Sequence, residues 1–291
     1  MKEADWKRLV FQLSKGACTP FLGAGACDGI LPSGRQLSRK LAEDGQYPFH
    51  DKDNLTKVTQ FLAMRFGESV HVKEMISEEL RVSRTPDFDD PQDPHGLLAK
   101  FPLPVYLTTN YDDFIFQSLK WVGKDPSVAM CRWNEGIEGN AEIFQEEAGW
   151  NPRPESPLVY HLHGRLDTPS SLVVTEDDYI EFITNLAHDR AAETPVMLPP
   201  VILGALTTRS LLFVGYSLQD WNFRVLFNGL QRAVPGINRR RHLSVQVAPD
   251  VDASVKEELL EDLERYYERW SVSIFWGTAA EFCKQLQRRM T

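Results

Sequence analysis

Apolar residues recur along this chain in two rhythms. Over residues 2–16, Trp6, Leu9, Val10 and Leu13 fall at i, i+3, i+4 and i+7, the spacing of one helix face. Elsewhere the apolar residues gather in short runs bounded by glycine, proline or small polar residues. Such runs stand at 18–22, 105–108, 127–131, 158–162, 172–174, 211–214, 243–247 and 272–276, and each predicts a buried strand. Helical spacing returns between them. It covers 35–44, then a face of Leu55, Val58, Phe61, Leu62 and Phe66, then one of Val72, Met75, Ile76 and Leu80. Further helices are expected around Phe114, Ile115 and Leu119, from Thr175 through Leu186, within 195–208, around Phe223, Val225, Leu226 and Leu230, over 252–269, and at the end of the chain. Strands alternating with helices predict an α/β fold with a doubly wound, mostly parallel sheet. The succession of helices at about 36–100 predicts a helical module inserted into one domain spanning 1–291.

Composition narrows the classes. The chain has 291 residues, 42% hydrophobic and 25% charged, enough for a sizeable core. Its net charge of −9 argues against general nucleic-acid binding, and the basic run Arg239, Arg240, Arg241, His242 reads as a solvated loop before a strand. No apolar run reaches membrane-spanning length, and acids interrupt the apolar pattern of the N-terminus as no signal peptide would allow. A cytoplasmic protein is expected. The four cysteines, Cys18, Cys27, Cys131 and Cys283, form no CxxC pair, so neither a structural zinc site nor a disulfide framework is expected.

The candidate chemistry sits where strands end. Gly23-Ala24-Gly25 follows the first strand, where free backbone N–H groups would hold a diphosphate, although Asp28 leaves the six-residue dinucleotide fingerprint incomplete. The 105–108 strand ends at Thr109-Asn110-Tyr111-Asp112, a ligand edge or, equally, a helix cap. The run 158–162 ends at His163-Gly164, and 211–214 ends at Gly215-Tyr216-Ser217. Parallel strands put all four ends on one edge, where open α/β sheets keep their ligands. Period-two alternation gives His161 and His163 the same face, so His161 is a rival base.

In this order the stretches FLGAGA (21–26), LTTNYDDF (107–114), YHLHGRLD (160–167) with SLVVTEDDYIEF (171–182), and LLFVGYSLQDWNF (211–223) resemble the sirtuin family, and more closely its bacterial branch found in anti-phage defence. The resemblance implies a Rossmann-like domain with a helical insert that binds NAD. It implies that Gly23, Ala24 and Gly25 form the diphosphate loop, that Thr109, Asn110 and Asp112 lie at the ribose and nicotinamide end, that His163 is the catalytic histidine, and that Gly215 and Ser217 make a later nucleotide-contacting turn. Cys27 replaces the usual Ser or Thr, Arg35 follows Pro32-Ser33-Gly34 in place of the usual Asp-Phe-Arg segment, and the zinc-binding cysteine quartet of the deacylases is missing. The expected activity is therefore an NAD⁺ hydrolase needing no zinc. The alternatives are a zinc-free protein deacylase and a non-catalytic NAD or ADP-ribose sensor. An NAD-consuming effector must be gated. With no evident sensor after residue 277, gating is expected from homo-oligomerisation or from a partner, which in relatives is a HerA-type ATPase or an Argonaute-like protein.

Overall fold

The computed structural model describes residues 1–81, 84–137, 151–189, 196–216, 221–234, 237, 240–249 and 251–290, without the side chains of 221–223 and 233. Among the described residues seven strands form one sheet: β1 (Cys18–Leu22), β2 (Val105–Thr108), β3 (Ser127–Met130), β4 (Leu158–His161), β5 (Ser210–Val214), β6 (His242–Gln246) and β7 (Val272–Trp276). Their order is β3-β4-β2-β1-β5-β6-β7, and every pairing is parallel, so the sheet exceeds the expected "mostly parallel". After β1 the chain builds outward on one side through β2, β4 and β3. It then returns to β1's other side for β5. The boundary between β1 and β5 is thus a topological switch point, the place where a doubly wound sheet opens a crevice.

Alternation along the central strands explains why both faces are covered. Phe21, Val105, Leu107, Leu158, Tyr160, Leu211 and Phe213 point into one apolar layer, while Cys18, Leu22, Tyr106, Val159, Leu212 and Val214 point into the other. The helices are α1 (Glu3–Ser14), α2 (Gly34–Asp44), α3 (Leu55–Phe66), α4 (Ser69–Leu80), α5 (Pro94–Ala99), α6 (Phe114–Trp121), α7 (Glu176–Asp189), α8 (Pro200–Thr208), α9 (Trp221–Ala233), α10 (Ala253–Glu268) and α11 (Ala279–Gln287), and all but α2, α3 and α4 fill these layers. Local chemistry sets several of their starts. Ser33 and Gln36 form a capping box on α2, Thr278 and Glu281 form another on α11, and Asp93 caps α5 ahead of Pro94 in its first turn.

Helices α2, α3 and α4 share a separate core of Leu37, Leu41, Val58, Leu62, Val72 and Ile76, closed by Leu172 and Val174 from across the chain. Helix α5 lies instead in the sheet-side layer through Leu97 and Leu98. Residues 172–174, read from sequence as a strand, are extended but unpaired in the sheet. Side chains and a loop carbonyl take their backbone groups. Val173 donates to the His163 carbonyl (3.1 Å) and accepts from the Tyr111 hydroxyl (2.8 Å). Val174 donates to Asp178 (3.0 Å) and accepts from Thr59 (2.9 Å). A segment satisfied this way has no groups left for a ladder. Asp178 also meets Lys73 of α4 at 2.8 Å, a buried ion pair joining the helical core to the start of α7.

Candidate active site at the carboxyl edge of the sheet

The glycines of β1 and β5 lock two loops together. Gly23 N–H donates to the Val214 carbonyl (2.9 Å), and Gly25 N–H donates to that of Gly215 (2.8 Å). Gly215 has φ +84°, and a Cβ there would lie 2.5 Å from the Gly23 carbonyl oxygen. A Cβ on Gly25 would lie 3.0 Å from the Cα of Gly215. Three glycines are therefore needed because two backbones touch. This corrects one expectation: the amides of Gly23, Gly25 and Ala26 are engaged within the fold and are not free for an anion, whereas the Ala24 amide makes none of these bonds. Ala24 and Gly25 still lie exposed at the rim.

Tyr216 closes the seam between β1 and β2. Its hydroxyl donates to the Leu22 carbonyl (2.8 Å) and meets the Thr109 hydroxyl at 2.8 Å, so the side chain of Thr109 already has a partner. Ser217 lies outside the described residues.

Asn110 sits one step further on and is nearly buried, 8% exposed. Its Nδ2 donates to the Gly23 carbonyl (3.1 Å) and to Cys27 Sγ (3.2 Å), while Oδ1 has no hydrogen-bond partner among the described residues. Asp112 is buried and uses both oxygens. One accepts from the Phe114 amide at the start of α6 (3.0 Å), and the other accepts from the Cys27 thiol (3.2 Å). Asp112 thus bonds a backbone N–H at the helix start, one residue before the N-cap Asp113. Burial raises its carboxyl above the usual range, and burial with the neighbouring carboxylate of Asp112 holds the Cys27 thiol well above its own. Behind Cys27 stands His95, whose Nε2 lies 3.9 Å from Sγ and whose Nδ1 lies 3.3 Å from Asp93. Nothing in the sequence marked His95. It lies in the first turn of α5, inside the expected helical module, and only the tertiary fold turns it toward Cys27.

The two histidines separate. β4 ends at His161, so the pleat does not reach His163, and the shared face expected from alternation is lost. His161 is fully buried, and its Nδ1 donates to the Asn110 carbonyl at 3.0 Å, which makes Nε2 the lone-pair nitrogen. His163, 4% exposed, is held edge-on by the rings of Tyr179 and Phe182 at centroid distances of 5.4 and 5.1 Å. Both Nε2 atoms are buried without a hydrogen-bond partner among the described residues. Burial lowers each imidazole to about 3, with Arg165 adding to the effect on His161. Glycines 23, 25 and 215, Thr109, Asn110 and Asp112 thus form one contiguous constellation, with His161 touching it through the Asn110 backbone. His163 lies two residues past the end of β4 and, among the described residues, makes no hydrogen bond to that constellation. Arg35 is exposed and pairs with Asp53 away from it. Residues Asp28, Gly29, Ile30, Leu31 and Pro32, with Gln36 and Lys40, line a cavity of about 470 Å³ next to the glycine loop, though neither Asn110 nor His163 lines it.

A protein-family model described as "SIR2-like domain" matches residues 104–271, more than half of the chain. The chain belongs to the SIR2-like family. The match takes in the Asn110, His163 and Gly215 stretches of this SIR2-like chain, while the glycine loop after β1 lies outside it. Among curated proteins it is similar to the NAD(+) hydrolase ThsA of Enterococcus faecium, 27% identical over 267 residues that make up 89% of this chain and 49% of that one. It is also similar to the ThsA of Acinetobacter baumannii, 23% identical over 97% of this chain and 55% of that one. The chain therefore spans about half the length of the curated relatives it matches. A solved structure described as "Structural Basis for the Mechanism and Regulation of Sir2 Enzymes" aligns over 100% of this chain and 99% of that one, with a TM-score of 0.42 and 12% identity. Among the described residues no helix is long and apolar enough to cross a membrane.

Proposed function

We propose that this chain binds NAD⁺ across the carboxyl edge of its sheet and hydrolyses it to ADP-ribose and nicotinamide. The observation carrying this reading is the Asn110 side chain bonded to the Gly23 carbonyl (3.1 Å) at the switch point of a SIR2-like sheet. That contact joins the expected diphosphate loop to the expected ribose end. The name NAD(+) hydrolase on relatives sharing 23–27% identity supports the same chemistry. In the reaction nicotinamide leaves with the bonding electron pair and neutralises its own ring charge. An oxocarbenium-like ribose remains, and water adds to its C1′ with one proton released to solvent. Asn110 Oδ1 accepts from a ribose hydroxyl or from the incoming water, fixing its approach. His163, neutral at working pH, accepts a hydrogen bond from the sugar or the water. An imidazole lowered to about 3 does this better than it carries a full proton. Ala24 offers its amide to the diphosphate, while Gly23, Gly25 and Gly215 hold that loop in place. Asp112 acts by holding Cys27 and the start of α6 in register with Asn110.

The test is nicotinamide release from NAD⁺, followed by chromatography. Asn110→Ala and His163→Ala are each expected to fold and to lose roughly 10²-fold or more in turnover. His161→Ala decides between the two histidines, because full loss there with an active His163→Ala would transfer the role to His161. Wild-type turnover in both the Asn110 and His163 variants would end the assignment. Acyl-ADP-ribose formed from an acylated peptide would favour a deacylase, and NAD binding without nicotinamide release would favour a sensor. We further infer that hydrolysis is gated, as a defence effector requires, by assembly with further copies or with a regulatory partner such as a HerA-type ATPase or an Argonaute-like protein. Gating predicts that specific activity rises with oligomer mass in a size-exclusion series, or only when the partner is added.

A further inference from the structure

Beneath the proposed NAD site three side chains of different chemistry converge. Cys27 Sγ, His95 Nε2 and an oxygen of Asp112 all lie within 4.8 Å of one another, and all three residues are buried. The thiol is 3.2 Å from Asp112 and 3.9 Å from His95. Around a four-coordinate zinc-sized ion with bonds of about 2.0–2.3 Å, neighbouring ligand atoms sit about 3.3–3.7 Å apart. The two sulfur distances lie within a few tenths of an ångström of that range, and the His95–Asp112 edge, at most 4.8 Å, would contract toward it as an ion is enclosed. The outer partner of the histidine is also in place. Asp93 Oδ2 lies 3.3 Å from His95 Nδ1, and its Oδ1 is anchored by the Gly96 amide, so a carboxylate already turns Nε2 of His95 toward Cys27. His95 packs edge-on against Phe114 at 5.9 Å, which restricts its ring further.

We propose that Cys27, His95 and Asp112 form an inhibitory site for a thiophilic divalent cation of the zinc class, distinct from the cysteine quartet whose absence the sequence displays. On binding, the Cys27 S–H bond breaks, its electron pair goes to the cation, and the proton leaves to solvent. The thiol's hydrogen bond to Asp112 gives way to shared ligation of the ion. Asn110 feels this directly, because its Nδ2 donates to the same sulfur at 3.2 Å and to the Gly23 carbonyl. The side chain expected to orient the reacting sugar is then tied to a metal cluster. The binding half of this proposal stands alone, whereas the inhibitory half rests on the hydrolase reading.

Co²⁺ is the probe for binding. The full-length chain, stripped with a chelator and kept under anaerobic conditions, is titrated with Co²⁺ and followed by absorption. The expected result is a thiolate-to-cobalt charge-transfer band in the near ultraviolet with intense four-coordinate visible bands, saturating at one ion per chain and displaced by Zn²⁺. Cys27→Ser should abolish the charge-transfer band. His95→Gln should weaken cobalt binding at least tenfold while the residual complex keeps its sulfur band. Zn²⁺ should also raise the melting temperature of the unaltered chain, a readout that needs no variant to fold. No sulfur band and no thermal shift in the wild type, or an unchanged band in Cys27→Ser, overturns the site. For inhibition, nicotinamide release should fall in step with Zn²⁺ occupancy. Undiminished release at full occupancy overturns the inhibitory half. A wild type inert toward NAD in every oligomeric fraction and with the partner added defeats the hydrolase reading instead, and the cobalt spectrum still decides whether the cation binds.

Discussion

His163 is an imidazole held by ring edges alone. Tyr179 and Phe182 fix its plane, burial keeps it neutral, and its Nε2 has no hydrogen-bond partner among the described residues. Its value of about 3 has a kinetic consequence. If this histidine titrated near 6.5, its usual value, activity would fall on mild acidification. In the fold it stays neutral well below that, so kcat/KM for NAD is expected to be level between pH 7.5 and 5.5, within about twofold, with no limb near 6.5. A rate profile with a clear acid limb at 6.5 would show that His163 is not neutral where it matters. The position of His163 was legible because a run of strand formers stops at His-Gly. Its separation from His161 was not, because alternation says nothing about where a pleat ends. Likewise Asn110 and Asp112 stood out at a strand end, but their shared neighbour Cys27 looked only like a departure from a family pattern.

At the scale of elements, the docking of two loops matters more than either loop. Gly215→Ala forces a side chain into φ +84° and against the Gly23 carbonyl. The backbone cost alone is about 1–2 kcal/mol, and the collision adds to it. The variant should melt several degrees lower and, in the same preparation, show weaker NAD binding, since the glycine loop must move. Calorimetry of both quantities checks this, and an unaltered melting curve would mean the loops do not touch in solution. The central strands were readable because they are apolar on both faces, and β2 and β7 fall where the apolar runs predicted. Residues 172–174 misled because an apolar triplet buried between α3 and α7 has the same composition as a strand. What distinguishes them is the destination of their peptide hydrogen bonds, to Thr59, Tyr111 and Asp178, which no local pattern encodes.

For the molecule as a whole, two features set stability. The Lys73–Asp178 pair is buried at 4% and 8% side-chain exposure, and Lys73 also stands 5.1 Å from the Trp133 ring. Lys73→Met leaves the Asp178 charge without its cation and should cost about 3 kcal/mol in urea unfolding. A loss below about 1 kcal/mol would mean water reaches the pair. Acid is the second lever. His161, His163 and His242 have folded values of about 3, 3 and 4, below their ordinary 6.5. The unfolded chain takes up these protons as pH falls through 6.5 and the folded chain does not, so this stability is present above 6.5 and is lost progressively toward 3–4. The unfolding free energy from urea titration should therefore drop from pH 7 to pH 5, by up to about 1.4 kcal/mol per pH unit for each histidine. The fold class was legible from alternation, but the strand order was not, because nothing local says that β5 returns to lie beside β1. That return has a consequence during synthesis. The strand that completes the crevice carries residues 210–214, so a ribosome has made β1 to β4 and all the chain between them before the crevice has its second wall. On the proposed hydrolase reading, harmlessness while being translated would be a property of chain order, with no inhibitor required.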